Sequence, residues 1–189
     1  QSHHAEELGS EMGHGAATIA EIIPDLRDKL TDLETPPALD PEQARFRLFD
    51  SITSFLRNAS RNQPLMLVLD DVHWADRSSL LLLQFLAREL APAQSGHLLV
   101  VGCYRDAELS RQHPLSETLA QLSRSAGGGF QRVLLRGLDQ EATKEFIEAG
   151  VAIVPTSGLV EALYSRTEGN TFFMTEVIRL LSESGELTA

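Results

Sequence analysis

The run Leu65-Met66-Leu67-Val68-Leu69-Asp70-Asp71 decides the fold. Five apolar residues stand between Pro64 and two acids. An all-apolar run this short suits a strand buried on both faces, as in a parallel sheet packed between helices. Open sheets of that kind bind ligands at the carboxyl ends of their strands, where Asp70 and Asp71 stand. One carboxylate there can hold Mg²⁺, which keeps much of its hydration and takes few protein oxygens. The other can position or deprotonate an attacking water. Taken alone, the pair reads equally well as two turn-forming residues after a strand.

Upstream of this run, Asp40-Pro41 reads as an N-cap followed by Pro at the first helical position. That helix continues through Phe46, Phe49, Ile52 and Leu56 and ends near Asn62. Thr35-Pro-Pro-Ala-Leu39 is a linker. Ile19, Ile22, Ile23, Leu26, Leu30 and Leu33 have helical spacing, with a start or break at Pro24. Residues 1–15 lack apolar periodicity and read as a poorly ordered lead-in. Downstream, Asp76 caps a helix running to about Leu90, and residues 91–96 form a turn. His97–Tyr104 is a second buried strand and Pro114–Ser123 a helix. Ala126–Gly129 is a loop, and Gln131–Arg136 a third strand.

After Gly137 the pattern is purely helical: Asp139–Ala149, Ser157–Thr167 and Phe172–Ser184. The expected fold class is α/β. A partial parallel sheet of about three strands, flanked by helices, spans residues 16–136, and a small helical subdomain spans 137–189.

Composition narrows the function classes. The 189 residues, 42% of them apolar, suffice for a packed domain with a small appendage. A net charge of −11 argues against a broad nucleic-acid footprint. The single cysteine, Cys103, rules out a disulfide within the chain. Its apolar neighbours predict a buried small side chain, and the pattern fits a cytoplasmic protein. No apolar run approaches the ~18 residues of a membrane span, and Gln1–Ala20 is not a signal peptide. His3, His4 and His14 have no metal-ligand framework around them.

Two more features bear on chemistry. Arg105, at the end of the second strand, can neutralise a terminal phosphate or pair with Asp70, Asp71 or Asp106. Gly169-Asn170 is a turn, with Thr171 a candidate cap for the helix that follows. Phe172, Phe173, Val177 and Leu180 form an apolar face of that helix. The pattern Gly-x-x-x-x-Gly-Lys-Ser/Thr is absent. The two lysines, Lys29 and Lys144, precede Leu30 and Glu145. The glycines at 127–129 lie between a helix and a strand, which is the wrong order for a phosphate cradle.

Together these segments resemble the C-terminal two-thirds of the STAND signal-transduction ATPases, a branch of the AAA-like P-loop NTPases. Leu67-Val-Leu-Asp-Asp-Val-His-Trp-Ala-Asp76 is similar to their Walker B segment, and Val100-Val-Gly-Cys-Tyr-Arg-Asp106 to their sensor-1 strand. Leu135-Arg-Gly-Leu138 resembles the start of their helical lid. Thr167-Glu-Gly-Asn-Thr-Phe-Phe173 is similar to their Gly-Asn-Pro-Phe-Phe motif, except that Thr171 replaces the proline. The resemblance implies that Asp70 orders Mg²⁺, Asp71 stands at the water-activating position and Arg105 reads the γ-phosphate. Asn170 and Thr171 would lie near the nucleotide base.

The resemblance also implies an ATP-dependent switch of a bacterial LuxR-family regulator, with Mg²⁺ and ATP as cofactors of the complete domain. Neither is expected to bind tightly to residues 1–189, and the fragment alone is expected to be inactive. DNA would be met only through a separate output domain, and no membrane is implied. The alternatives are a degenerate interaction module without nucleotide and an ATPase module linked to a nucleotide cyclase. In the fold that the resemblance implies, the phosphate-loop strand lies between the sensor-1 strand, Leu98–Tyr104, and the strand expected at Gln131–Arg136. Without it both would have naked edges, so a split sheet or self-association through those edges is expected.

Overall fold

The structure, a computed structural model, describes residues 2–30, 33–90, 97–125, 129–151 and 153–185. The turn expected at 91–96 and most of the loop expected at 126–129 lie outside them. The chain divides into two compact units, Gln1–Gln131 and Arg132–Ala189.

The first unit opens with helix α1 (Ser2–Met12), a 3-10 turn over Gly13–Gly15, and the short helices α2 (Ala16–Ile19) and α3 (Leu26–Lys29). The lead-in reading of 1–15 is thus corrected. Met12 is buried with Ala16, Ile19, Ala20, Leu26 and Leu30, and Leu8 packs against this cluster. Tertiary packing, with Ile52 and Phe55 as partners, orders a segment whose own periodicity is weak. The helical spacing over 16–33 is interrupted before Pro24, which cannot supply an N–H to an ongoing helix.

Helix α4 (Pro41–Asn62) has the expected start. The Asp40 carboxylate accepts hydrogen bonds from the Glu42 and Gln43 N–H groups at 3.1 and 3.0 Å, a cap worth about 1 kcal/mol. Strand β1 (Leu65–Leu69), helix α5 (Arg77–Leu90), strand β2 (Leu98–Gly102) and helix α6 (Pro114–Ser125) follow. Phe85 on α5 meets Phe46 and Phe49 of α4 through ring contacts at 5.6 and 6.0 Å. The Gln84 side chain donates to the Thr118 hydroxyl at 2.9 Å and joins α5 to α6 within the core.

β1 and β2 pair in parallel, from Leu65 opposite Leu98 to Leu69 opposite Gly102. Leu69 packs on one side against the cluster of Val72, Leu80 and Leu115. The other face is open: Met66, Val68 and Leu99 are each more than half exposed. The expectation of strands buried on both faces is therefore corrected. Cys103 is exposed as well. Side chains alternate along a strand, so Cys103 shares the open face with Leu99, and its predicted burial fails for that reason.

Among the described residues the sheet has two strands, not three. Residues 131–136 form no strand, and Leu135 is 86% exposed. An extended apolar segment becomes a strand only beside another strand that bonds its N–H and C=O groups, and among the described residues no strand lies beside it.

The second unit contains helices α7 (Gln140–Val151), α8 (Ser157–Thr167) and α9 (Thr171–Glu183). Ile147, Val160, Leu163, Met174 and Ile178 form its core. Asp139 caps α7 through the Ala142 N–H at 2.9 Å, and Thr156 caps α8 through Leu159. Between α8 and α9, Glu168 and Gly169 both have positive φ, 49° and 78°. The Leu138 N–H donates to the Gly169 carbonyl at 2.9 Å. A Cβ at Gly169 would meet the Leu138 backbone, and one at Gly137 would meet the Glu168 carbonyl. Glycine at both positions allows this backbone contact.

Two predictions follow the backbone and the caps. Gly169→Ala should destabilise the second unit by roughly 1–3 kcal/mol. Gly150→Ala in α7, where an added Cβ meets nothing within 4 Å, should stabilise by about 0.5–1 kcal/mol; chemical unfolding of both variants measures the contrast. Asp76 accepts from the Ser79 N–H at 2.7 Å, and the hydrogen bonds from Ser79 hold its pKa below the ordinary 3.8. A lowered folded value stabilises above the unfolded value and loses that stability as pH falls through the folded one. Asp76→Ala should therefore melt below the wild type at pH 7, and the gap should close as pH falls below 3.8.

Candidate functional site

The backbone pairing continues past the two strands. The Cys103 N–H donates to the Leu69 carbonyl at 2.8 Å, and the Val72 N–H donates to the Cys103 carbonyl at 2.9 Å. A regular parallel bridge leaves one residue between those two partners. Here there are two, Asp70 and Asp71, so the pair forms a one-residue bulge at the carboxyl end of β1. Asp71 takes up the extra residue in the left-handed region, at φ 50° and ψ 39°. Aspartate adopts that region more readily than most residues. Asp70 is exposed and Asp71 partly buried, and the Asp71 N–H donates to Asp70 Oδ1 at 3.0 Å.

Beyond the bulge, Val72–Trp74 form a 3-10 turn. Val72 enters the core with Leu80 and Leu115. His73 follows it inward, its side chain 1% exposed. His73 Nε2 lies 3.2 Å from Glu108 Oε2 and 3.8 Å from Asp71 Oδ1. The Glu108 approach has the distance of a hydrogen bond but not its angle, and among the described residues neither ring nitrogen makes one. Glu108 belongs to another 3-10 turn, Asp106–Glu108, just after β2. Its Oε1 is 3.4 Å from Arg105 Nη1. The ion pair described for Arg105 is thus with Glu108, a residue that sequence reasoning passed over although it lies three positions on. Arg105 is 66% exposed, so a pair of this kind restrains it only weakly.

Asp71, His73, Glu108 and Arg105 therefore come together around the ends of β1 and β2. Asn170 and Thr171 belong to the second unit. The cap of α9 is Asn170, whose side chain accepts from the Phe172 and Phe173 N–H groups at 3.0 and 3.5 Å. The expectation that Thr171 caps α9 is corrected: Thr171 is its first helical residue, because Asn170 is the last with extended backbone.

The donor set suits magnesium. Asp70 offers an exposed carboxylate at a strand end beside a second acid. No group of three or more His, Cys, Asp or Glu among the described residues can hold a metal, and magnesium needs no such cage because it retains its waters. No helix of the described residues is long and apolar enough to cross a membrane.

The family model described as an AAA ATPase domain matches residues 6–101, just over half of the 189, from α1 through β2. No curated protein and no solved structure matches the chain. The matched segment contains the bulged acid pair and the parallel strands that present it, and the chain belongs to the AAA ATPase domain family.

Proposed function

We propose that this chain carries the magnesium and phosphate-sensing side of an ATP-dependent signalling switch, in a bacterial transcription regulator with a LuxR-type output. The supporting observation is the bulge at Asp70-Asp71, beside the end of the strand that leads to Arg105. In this reading Asp70 holds the hydrated metal through its exposed carboxylate. Bound magnesium supplies charge neutralisation at the phosphate oxygens. Asp71 orients the attacking water and accepts its proton. Arg105 leaves its weak pair with Glu108 and turns to the charge on the terminal phosphate. Asn170 and Thr171, in the second unit, are assigned to contact with the nucleotide base. ATP and ADP, bound differently, shift the switch between two states.

The Pro-to-Thr departure at 171 does not argue against this. Thr171 is at the first helical position, where proline is favoured because that N–H has no intrahelical partner and its fixed φ suits the helix. Asn170, at φ −72° and ψ 112°, already has the backbone that precedes proline. Thr171→Pro should leave α9 intact and raise stability by up to about 1 kcal/mol, as read from thermal melts.

The functional test separates the two acids. In the longer protein with a phosphate loop upstream, Asp70→Asn should weaken magnesium-dependent ATP binding by calorimetry. Asp71→Asn should keep binding and slow phosphate release by about 10²–10⁴-fold. Residues 1–189 alone should bind ATP poorly, because they lack the lysine and N–H cradle for the phosphates. Unchanged magnesium-dependent affinity in Asp70→Asn refutes the assignment.

A further inference from the structure

We propose that His73 is a positioning residue that ties Asp71 and Arg105 into one linked unit. The inference rests on the ATPase reading above and adds a residue to it. His73 is buried, with a side-chain exposure of 1%. A buried imidazole with no hydrogen bond is costly, yet here one nitrogen faces two carboxylates from two separate turns. Asp71 opens the turn after β1 and Glu108 closes the turn after β2. The acids lie 3.8 and 3.2 Å from the same Nε2. Glu108 in turn presents its other oxygen to Arg105 at 3.4 Å.

Nε2–H is therefore placed to close on either acid. Closing on Glu108 keeps Arg105 drawn back, and closing on Asp71 fixes that carboxylate. Movement of Arg105 toward a phosphate frees Glu108 and so alters what His73 holds. His73 acts through Asp71 and Glu108 and needs no contact with nucleotide.

The first test uses the 189-residue chain without nucleotide. Trp74 is the chain's one tryptophan. It is 70% exposed, with its ring 5.0 Å from the His73 ring, so its emission reports the setting of that imidazole. Glu108→Gln should shift Trp74 emission, and the same change should be silent in a His73→Gln background. No shift, or an equal shift in both backgrounds, overturns the coupling while leaving the ATPase reading intact.

The second test uses the longer protein. His73→Gln and Glu108→Gln should each lower kcat for ATP by up to about 100-fold with KM unchanged, and the double variant should be no slower than the slower single. Additive losses, or a loss confined to KM, overturn the proposal. Glu108 is a partly exposed surface residue, so its variant keeps the test open if His73→Gln fails to fold. Absence of ATP turnover by the wild-type protein removes the ATPase reading and this inference with it.

Discussion

The parallel pairing of β1 with β2 runs one residue out of step at its carboxyl end, and the candidate site depends on that mismatch. Cys103 holds Leu69 on one side and Val72 on the other. The intervening span has one residue more than a regular bridge accommodates. The surplus pushes Asp70 into solvent and Asp71 into left-handed backbone. It also returns Val72 to the core in phase with Leu80 and Leu115. A non-glycine residue in that conformation costs on the order of 1–3 kcal/mol. Two backbone hydrogen bonds and the burial of Val72 offset it. The strain and the acid pair are thus one feature: the residue that absorbs the extra length is itself a candidate catalytic acid.

The same pairing sets the neighbourhood of His73. Once Val72 is anchored, the 3-10 turn carries His73 inward and leaves Trp74 outside. The turn after β2 then brings Glu108 across to it. Arg105 and Asp71 lie 34 positions apart in the sequence, yet each is a neighbour of one side of this His–Glu contact. The second unit relies on close backbone approach in a different form. Gly137 and Gly169 let the segment entering α7 lie against the turn before α9, and Asn170 caps α9 from that turn.

Much of this was legible in the sequence, for local reasons. The start of α4 was readable because Asp40 and Pro41 act on the N–H groups of the next turn, within three residues. The cap at Asp76 was readable on the same ground, as was β1 from its apolar run between Pro64 and Asp70. The readings that failed depend on partners remote in sequence. Residues 131–136 have the composition of a strand but, among the described residues, no neighbouring strand to bond. Cys103 has apolar neighbours but lies on a sheet face that the described residues leave exposed. Ser2–Met12 looked featureless because its order comes from packing its few apolar residues beside Ile52 and Phe55.

By itself, then, the sequence determined the order of elements from α4 to α6, the caps at Asp40 and Asp76 and the placing of two acids at a strand end. Each of these follows from interactions spanning a few residues. Tertiary structure alone decided that the acids form a bulge, that His73 rather than Arg105 faces Asp71, and that Glu108 joins the group. Those outcomes turn on the register between two strands whose paired residues lie more than thirty positions apart. A change of one residue in that register alters which side chains point inward, and no local pattern encodes it.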